Sequence, residues 1–217
     1  MPKKEFIRRC GLFIISLFVI GLGIALAKRA ELGISPVSSV ANVLSLRFDF
    51  LSLGMWLTIT NFLMLLGQIL LLRRKFQLWQ LLQIPLSFLF GSFTDVGLWL
   101  VQGIPNNMYA VQLLLVLAGV AVLSVGITLG VVANVILNSP EAFVKALADT
   151  TGHEFGVTKT AFDVSWVLLA VVLSLIFFGG ELRGIREGTV ITAVLVGFGV
   201  KLCRRWLEKP LTRLLTK

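Results

Sequence analysis

Long apolar stretches alternate with short polar breaks along this chain, and the pattern predicts six membrane-spanning helices. The expected spans cover residues 10–27, 53–72, 78–101, 109–137, 158–178 and 188–206. A helix needs about 20 predominantly apolar residues to cross the hydrocarbon core of a bilayer, and each stretch is close to that length. The pattern therefore predicts an all-α membrane protein.

A Ser-Pro pair follows a glycine-punctuated apolar span twice in the chain, once in each half. The two pairs are Ser35-Pro36 and Ser139-Pro140. Serine is a favourable helix N-cap, and proline is tolerated at the first helical position, where its missing N–H would have no partner. Each pair therefore predicts the capped start of a short helix, and its recurrence indicates an internal repeat.

We expect two repeats of three spans each, over residues 1–105 and 106–217. An odd number of spans in each repeat turns the second repeat upside down relative to the first. The short Ser-Pro helices cannot cross a bilayer, so each lies flat at the interface or enters the membrane partway as a broken or re-entrant helix. In the second case they approach the midplane from opposite faces, as in inverted-repeat transporters.

Composition supports a membrane location and argues against a nucleic-acid partner. Hydrophobic residues make up 57% of the chain and charged residues only 14%, against about 25% charged residues in soluble domains. The formal charge is +9. The basic residues cluster at the ends of apolar runs, as determinants of topology and contacts to anionic lipid do.

Positive charge also predicts the orientation. The basic head at residues 3–9, the turn at residues 73–75 and the tail at residues 201–209 place both termini on the cytoplasmic side. Lys28 and Arg29, near the outer end of the first span, oppose this assignment unless the Ser35 segment dips inward and brings them into a cavity. A signal peptide is disfavoured because no small-residue cleavage site follows the first apolar run.

Polar residues around the two Ser-Pro pairs form the expected binding site. Helix N-termini expose unpaired N–H groups and a partial positive charge, so they attract anions. Together with the two basic residues at the end of the first span, this predicts an anionic or zwitterionic small molecule. The expected substrate-binding residues are Lys28, Arg29, Ser35, Ser38, Ser39, Asn42, Asn134, Asn138 and Ser139.

Two aspartates within the apolar spans are candidates for coupling transport to an ion. Ionisable residues inside a membrane are costly and mark functional sites by default. Asp95 lies near the outer end of the third span, where it can equally be an interfacial residue. Asp163 lies in the fifth span, one helical turn after Lys159, and an ion pair between the two is the alternative.

Enzyme signatures are missing from the sequence. His153 is the only histidine, which disfavours a metal site. Cys10 and Cys203 are expected to be packing residues on the cytoplasmic side. There is no nucleophile elbow, P-loop or dinucleotide fingerprint, so neither catalysis nor a cofactor is expected. The five tryptophans lie mostly near span ends and indicate an interfacial belt.

Several short motifs resemble the YczE/YitT-like family of bacterial membrane proteins. They are the glycine-patterned first span, Gly33-Ile34-Ser35-Pro36, Leu51-Ser52-Leu53-Gly54 and the segment from Gly91 to Asp95. The resemblance implies a multi-span protein of the bacterial inner membrane without a settled activity. Members often carry aspartate or tryptophan just after the Ser-Pro pair, where this chain has Val37 and Ser38.

The leading functional hypothesis is a secondary transporter of the inner membrane, with its substrate bound between the two Ser-Pro helices. The partners would be the small-molecule substrate and the lipid bilayer. One alternative is the substrate-binding membrane subunit of a multi-subunit transporter, and another is a non-transporting accessory or assembly protein. The sequence leaves open whether the protein is a monomer or a homodimer.

Overall fold

The structure is a computed structural model that describes residues 3–216, and those residues form helices without any β-strand. The helices are α1 (Lys3–Arg29), α2 (Ser39–Arg47), α3 (Leu53–Leu72), α4 (Gln83–Val101), α5 (Tyr109–Ala133), α6 (Ser139–Thr151), α7 (Phe155–Phe177) and α8 (Glu187–Thr216). Short 3-10 turns occur at Pro36–Ser38, Arg73–Lys75 and Leu78–Leu82. The all-helical prediction is confirmed.

Five helices are long and apolar enough to cross a membrane. They are α1, α3 with the turn that follows it, α4 with the turn that precedes it, α5 and α7. A multi-pass membrane protein is therefore supported. Helix α8 is not among the five, because Lys201, Arg204 and Arg205 interrupt its apolar part. The sixth span and the inverted arrangement stay predictions.

The fourth span is shorter than the sequence predicts, because α5 ends at Ala133 rather than at residue 137. Asn134 adopts a left-handed conformation (φ +48°), and its N–H donates to the carbonyl of Gly130 at 3.2 Å. Asparagine tolerates this conformation better than most residues and is found at helix C-termini. The chain therefore leaves the helix here and turns towards α6.

The expected capping by Ser35 and Ser139 is wrong in detail. Helix α2 begins at Ser39, after the 3-10 turn, and its N-cap is Ser38. Helix α6 has Asn138 at the N-cap and Ser139 as its first residue. Neither N-cap side chain makes a capping hydrogen bond to its helix. The first turns of both short helices therefore lack the expected side-chain caps.

The helices form two compact units, and each unit draws on both halves of the chain. Unit 1 contains α1, the second part of α4, α5 and α8. Unit 2 contains α2, α3, the first part of α4, α6 and α7. The unit boundaries are at 35/36, 92/93, 135/136 and 186/187. This grouping does not test the repeat boundary at residue 105, which stays a prediction.

In unit 1, the first long helices of the two halves pack closely and run antiparallel. Gly23 of α1 lies against Gly119 and Leu123 of α5, whereas Ile20, earlier in α1, lies against Gly126, later in α5. Small residues let helix backbones approach closely in a membrane. The glycines of these spans therefore form a packing interface.

An arginine near the start of α1 binds the C-terminal end of α5. Arg9 of α1 donates from Nη1 to the carbonyls of Val132 and Ala133, both at 3.2 Å, and also pairs with Glu5 at 2.8 Å. The two carbonyls belong to the last turn of α5, which carries a partial negative charge. Arg9 therefore stabilises the C-terminus of α5.

In unit 2, each short helix packs on the second long helix of the other half of the chain. Helix α2 contacts α7 through the α2 cluster, defined here as Val40, Val43, Ala170 and Ile185. Helix α6 contacts α3 and α7 through the α6 cluster, defined as Met64, Val144 and Phe162. Helix α2 also contacts α3, so each short helix packs on the second long helix of both halves.

Candidate functional site

The start of α2 is held by buried polar side chains. Ser39 is fully buried and donates from Oγ to the carbonyl of Pro36 at 2.6 Å. Asn42 is also buried, and its Nδ2 donates to the carbonyl of Gly184 at 2.7 Å. Since Gly184 lies in the loop between α7 and α8, Asn42 ties the short helix to that loop. Both predicted binding residues therefore have structural hydrogen bonds.

The start of α6 lies against a polar part of α4. The Oγ atom of the buried Ser139 is 3.4 Å from the Oγ atom of Ser87. Thr58 of α3 donates to the carbonyl of Ser87 at 3.1 Å. Asn138, the N-cap of α6, is half-buried. Three helices therefore bring hydroxyl and amide groups to the N-terminus of α6.

A chain of glutamine amides links α3 with the beginning of α4. Gln68 donates to Oε1 of Gln80 at 3.3 Å, and Gln83 donates to Oε1 of Gln68 at 3.2 Å. The Oε1 atom of Gln83 is buried and has no hydrogen-bond partner among the described residues. Gln83 lies one helical turn before Ser87, and the network therefore ends in an unused acceptor at the beginning of α4.

Trp166 of α7 lies between the two short helices. Its indole ring packs against both the α2 cluster and the α6 cluster, and it stacks on Phe162 with ring centroids 5.3 Å apart. The Nε1 atom is buried without a hydrogen-bond partner among residues 3–216. A buried donor without a partner costs roughly 1–3 kcal/mol. A polar ligand at this position would remove that cost.

Unit 2 also contains a group of charged side chains on α6 and α7. Lys159 contacts both carboxylate oxygens of Asp163, at 2.5 and 2.6 Å, so the ion pair considered from the sequence is present. Both charges act on the carboxyl group of Glu141 in the first turn of α6. Burial raises the pKa of Glu141 above its ordinary value, and the positive charge of Lys159 offsets part of that rise.

The structure divides the predicted site residues between the two units. Unit 2 contains Ser38, Ser39, Asn42, Asn138, Ser139 and Asp163, whereas unit 1 contains Lys28, Arg29, Ser35, Asn134 and Asp95. Within unit 2, the residues from both Ser-Pro elements belong to one compact body. Among the described residues, no group of three or more His, Cys, Asp and Glu side chains is placed to hold a metal ion.

Among the predicted residues of unit 1, Arg29 makes hydrogen bonds that connect two segments of the chain. Arg29 donates from Nε to the carbonyl of Ile104 at 2.7 Å, and Asn106 donates to the Arg29 carbonyl at 3.0 Å. Arg29 therefore fastens the end of α1 to the turn between α4 and α5. Asn134 is exposed and ends α5, and Asp95 and Lys28 are half-buried.

Three residues of this region were not among the predicted site residues, namely Gln83, Glu141 and Trp166. Trp166 does not belong to an interfacial belt, because it lies in the middle of α7 rather than near its end. That mid-span position was visible in the sequence. The unpaired atoms of Gln83 and Glu141 follow from how α3, α4 and α7 pack, and no local pattern indicates them.

A family profile matches residues 7–205, which is most of the chain, and it identifies the chain as a member of the DUF6198 family, a family of unknown function. No curated protein and no solved structure matches the chain. The family establishes no activity, so the function has to be argued from unit 2.

Proposed function

We propose that this member of the DUF6198 family is a small-molecule transporter of the bacterial inner membrane. Its substrate is anionic or zwitterionic and binds beside Trp166, between α2 and α6 in unit 2. The observation that carries the proposal is that unit 2 contains three of the four buried, unpartnered side-chain polar atoms of the described residues, Gln83 Oε1, Glu141 Oε2 and Trp166 Nε1, the fourth being Thr189 Oγ1 in unit 1. Buried polar groups are ordinarily paired, and a bound polar ligand would pair them.

The packing of each short helix against both halves supports an alternating-access design. Helix α2 packs on α7, and α6 packs on α3, so the two halves make reciprocal contacts. The first long helices of the halves run antiparallel, which an inverted second repeat requires. Transporters of this kind bind substrates near the midplane, at broken helices from each repeat. We propose α8 as the sixth span that completes the second repeat.

The unpaired donor and acceptor atoms favour a zwitterionic substrate. The indole N–H of Trp166 is an unused hydrogen-bond donor, and the N-terminus of α6 in the same unit carries a partial positive charge, so both suit a carboxylate or another anion. The amide oxygen of Gln83 requires a donor, which the ammonium group of a zwitterion supplies. A zwitterionic substrate therefore satisfies both kinds of group, and a simple anion satisfies only the first.

The remaining parts of the proposal concern orientation and energy. Both termini lie in the cytoplasm, as the basic residues at the ends of apolar runs favour. We propose a secondary transporter; because the chain has no nucleotide-binding motif, ATP could act only through a separate subunit. The resemblance to the YczE/YitT-like family supports a location in the bacterial inner membrane. A non-transporting accessory protein would need no ligand at Trp166, whereas the substrate-binding membrane subunit of a larger transporter would bind one and require a separate energising subunit.

Binding of a zwitterionic or anionic solute to the purified protein tests the proposal. A panel of amino acids and small carboxylates is added to the protein in detergent, and its thermal unfolding is followed. At a concentration of 100 times Kd, a ligand of the native state adds about 2.7 kcal/mol of stability. We expect a rise in unfolding temperature for a zwitterion, followed by uptake of that solute into proteoliposomes.

Trp166→Phe provides the matched variant, because it removes the indole N–H and keeps an aromatic ring in the two clusters. We expect it to reduce the affinity for the solute roughly 10- to 150-fold, corresponding to one lost hydrogen bond to a charged group. Trp206→Phe is the control, since Trp206 is 73% exposed. No response from any solute, or an equal loss of affinity in both variants, would contradict the proposal.

A further inference from the structure

We infer that Glu141 is the proton-binding group of this protein, taking up one proton on its carboxylate during each cycle. This inference rests on the proposed transport function and deepens it by naming the coupling ion. It also moves the coupling role away from Asp95 and Asp163, the residues that the sequence favoured. The ligand class is therefore a proton, held at the start of α6.

The position of the Glu141 carboxyl carries the inference. Its Oε2 atom is buried and has no hydrogen-bond partner among the described residues. Glu141 is the third residue of α6, directly after Ser139 and Pro140, so it shares the helix N-terminus where the substrate is proposed to bind. The backbone N–H of Glu141 hydrogen-bonds its own carboxylate, so the unpaired atom is Oε2 alone. An ionised carboxylate with one buried oxygen unpaired is costly, and protonation is the ordinary way to relieve that cost.

The charged groups around Glu141 assign the proton to this residue rather than to its neighbours. On α7, Lys159 and Asp163 face it and already form an ion pair with each other at 2.5 Å. Helix α3, which also packs on α6, has no titratable residue. On α6 itself, Lys145 and Asp149 are exposed. Asp163 is thus neutralised by Lys159, whereas Glu141 has no cation to itself.

Coupling follows from the shared helix N-terminus. An ionised Glu141 and an anionic substrate group would compete for the same partial positive charge, and their like charges repel each other. One proton converts the carboxylate of Glu141 into a carboxylic acid and removes that repulsion, without breaking any other bond. Proton and substrate are therefore expected to bind together and to move in the same direction.

Infrared difference spectra of the purified protein, recorded between acid and alkaline pH, test the proton site directly. The carboxylic acid that persists to the highest pH is expected to be Glu141. Its C=O stretching band should disappear in Glu141→Gln. The band should persist in the matched control Asp149→Asn, which changes an exposed carboxylate of the same helix.

Asp163→Asn distinguishes the carboxyl group of Glu141 from that of Asp163, the other carboxylate in this group of charges. If the highest-titrating band survives in Glu141→Gln and is lost in Asp163→Asn, or if the wild-type protein shows no such band, the inference is overturned. Should Glu141→Gln fail to fold, Glu141→Asp replaces it. This variant is expected to shift the band in frequency, and an unshifted band would overturn the inference equally.

Transport measurements in proteoliposomes distinguish failure of this inference from failure of the proposed function. In proteoliposomes loaded with the solute found by thermal unfolding, Glu141→Gln is expected to abolish accumulation driven by a proton gradient and to retain solute exchange at equilibrium. Proton-driven accumulation in Glu141→Gln would overturn the inference while leaving a transporter. If no solute is carried, the proposed function fails, and the infrared result still decides whether Glu141 binds the proton.

Discussion

Gly23→Val is expected to cause a large loss of stability, because it forces apart the two helices that pack most closely in unit 1. A Cβ atom at position 23 would lie 2.8 Å from the backbone nitrogen of Leu123 and 3.1 Å from the carbonyl oxygen of Gly119. Both atoms belong to the backbone of α5, so no side-chain rotation relieves the overlap. Overpacking of this kind typically costs 1–3 kcal/mol, and the rigid neighbours favour the upper end, about 3 kcal/mol.

Thermal unfolding of the protein in detergent measures this effect, with Gly11→Val as the matched control. Gly11 lies in the same helix, and no neighbouring atom lies within 4 Å of the place its Cβ would occupy. Valine at position 11 should leave the unfolding temperature unchanged or raise it slightly, since glycine is the poorer helix former. Equal unfolding temperatures for the two variants would show that α1 and α5 do not pack through Gly23.

Lys159→Met is expected to have the second large effect, because it leaves two carboxylates near each other without a cation. Asp163 loses its ion-pair partner, and Glu141 loses the positive charge that offsets its burial. Removing one partner of a fully buried pair costs about 3–5 kcal/mol. The side chains here keep 25% and 28% of their surface exposed, so we expect a smaller loss of about 1–3 kcal/mol.

The double variant Lys159→Met/Asp163→Asn distinguishes this cause from a loss of packing. Removing both charges should restore most of the lost unfolding temperature, because no uncompensated carboxylate is left at position 163. Arg183→Met is the control, since its partner Glu181 is 64% exposed and the pair stabilises little. A double variant that is less stable than Lys159→Met would contradict the electrostatic explanation.

The sequence was most informative where a helix is delimited by local chemistry. Helix α3 covers the residues that the apolar pattern predicts, 53–72, because Ser52 caps it by accepting from the N–H of Met55 and a basic turn follows it. Helix α7 begins three residues earlier than expected. In both cases a long apolar run between polar segments leaves little freedom in placing the helix.

The sequence was least informative where tertiary contacts determine the end of a helix or the partners of a side chain. The apolar pattern continues past Ala133, and only the left-handed conformation of Asn134 shows that α5 has ended. Ser39 and Asn42 suggested a ligand site by their polarity, and that role stays a prediction, whereas their hydrogen bonds to Pro36 and Gly184 depend on the fold. Unpaired polar atoms such as Nε1 of Trp166 depend on which side chains surround them, and sequence spacing does not encode that.

Sided labelling of single cysteines tests most directly whether α2 and α6 enter the membrane from opposite faces. Cysteines replace Val37, at the turn before α2, and Asn138, at the start of α6, in a chain that lacks Cys10 and Cys203. Both positions are half-buried. The side references are the exposed residues Asn107, on the expected outer side, and Lys75, on the expected cytoplasmic side.

Membrane-impermeant maleimide is applied to right-side-out and inside-out vesicles, and labelling is measured with and without the bound solute. We expect Val37→Cys to react from the same side as Asn107→Cys, and Asn138→Cys to react from the same side as Lys75→Cys. The solute should slow both reactions. Labelling of both short helices from one face, or rapid labelling that no solute slows, would contradict a binding site between two re-entrant helices.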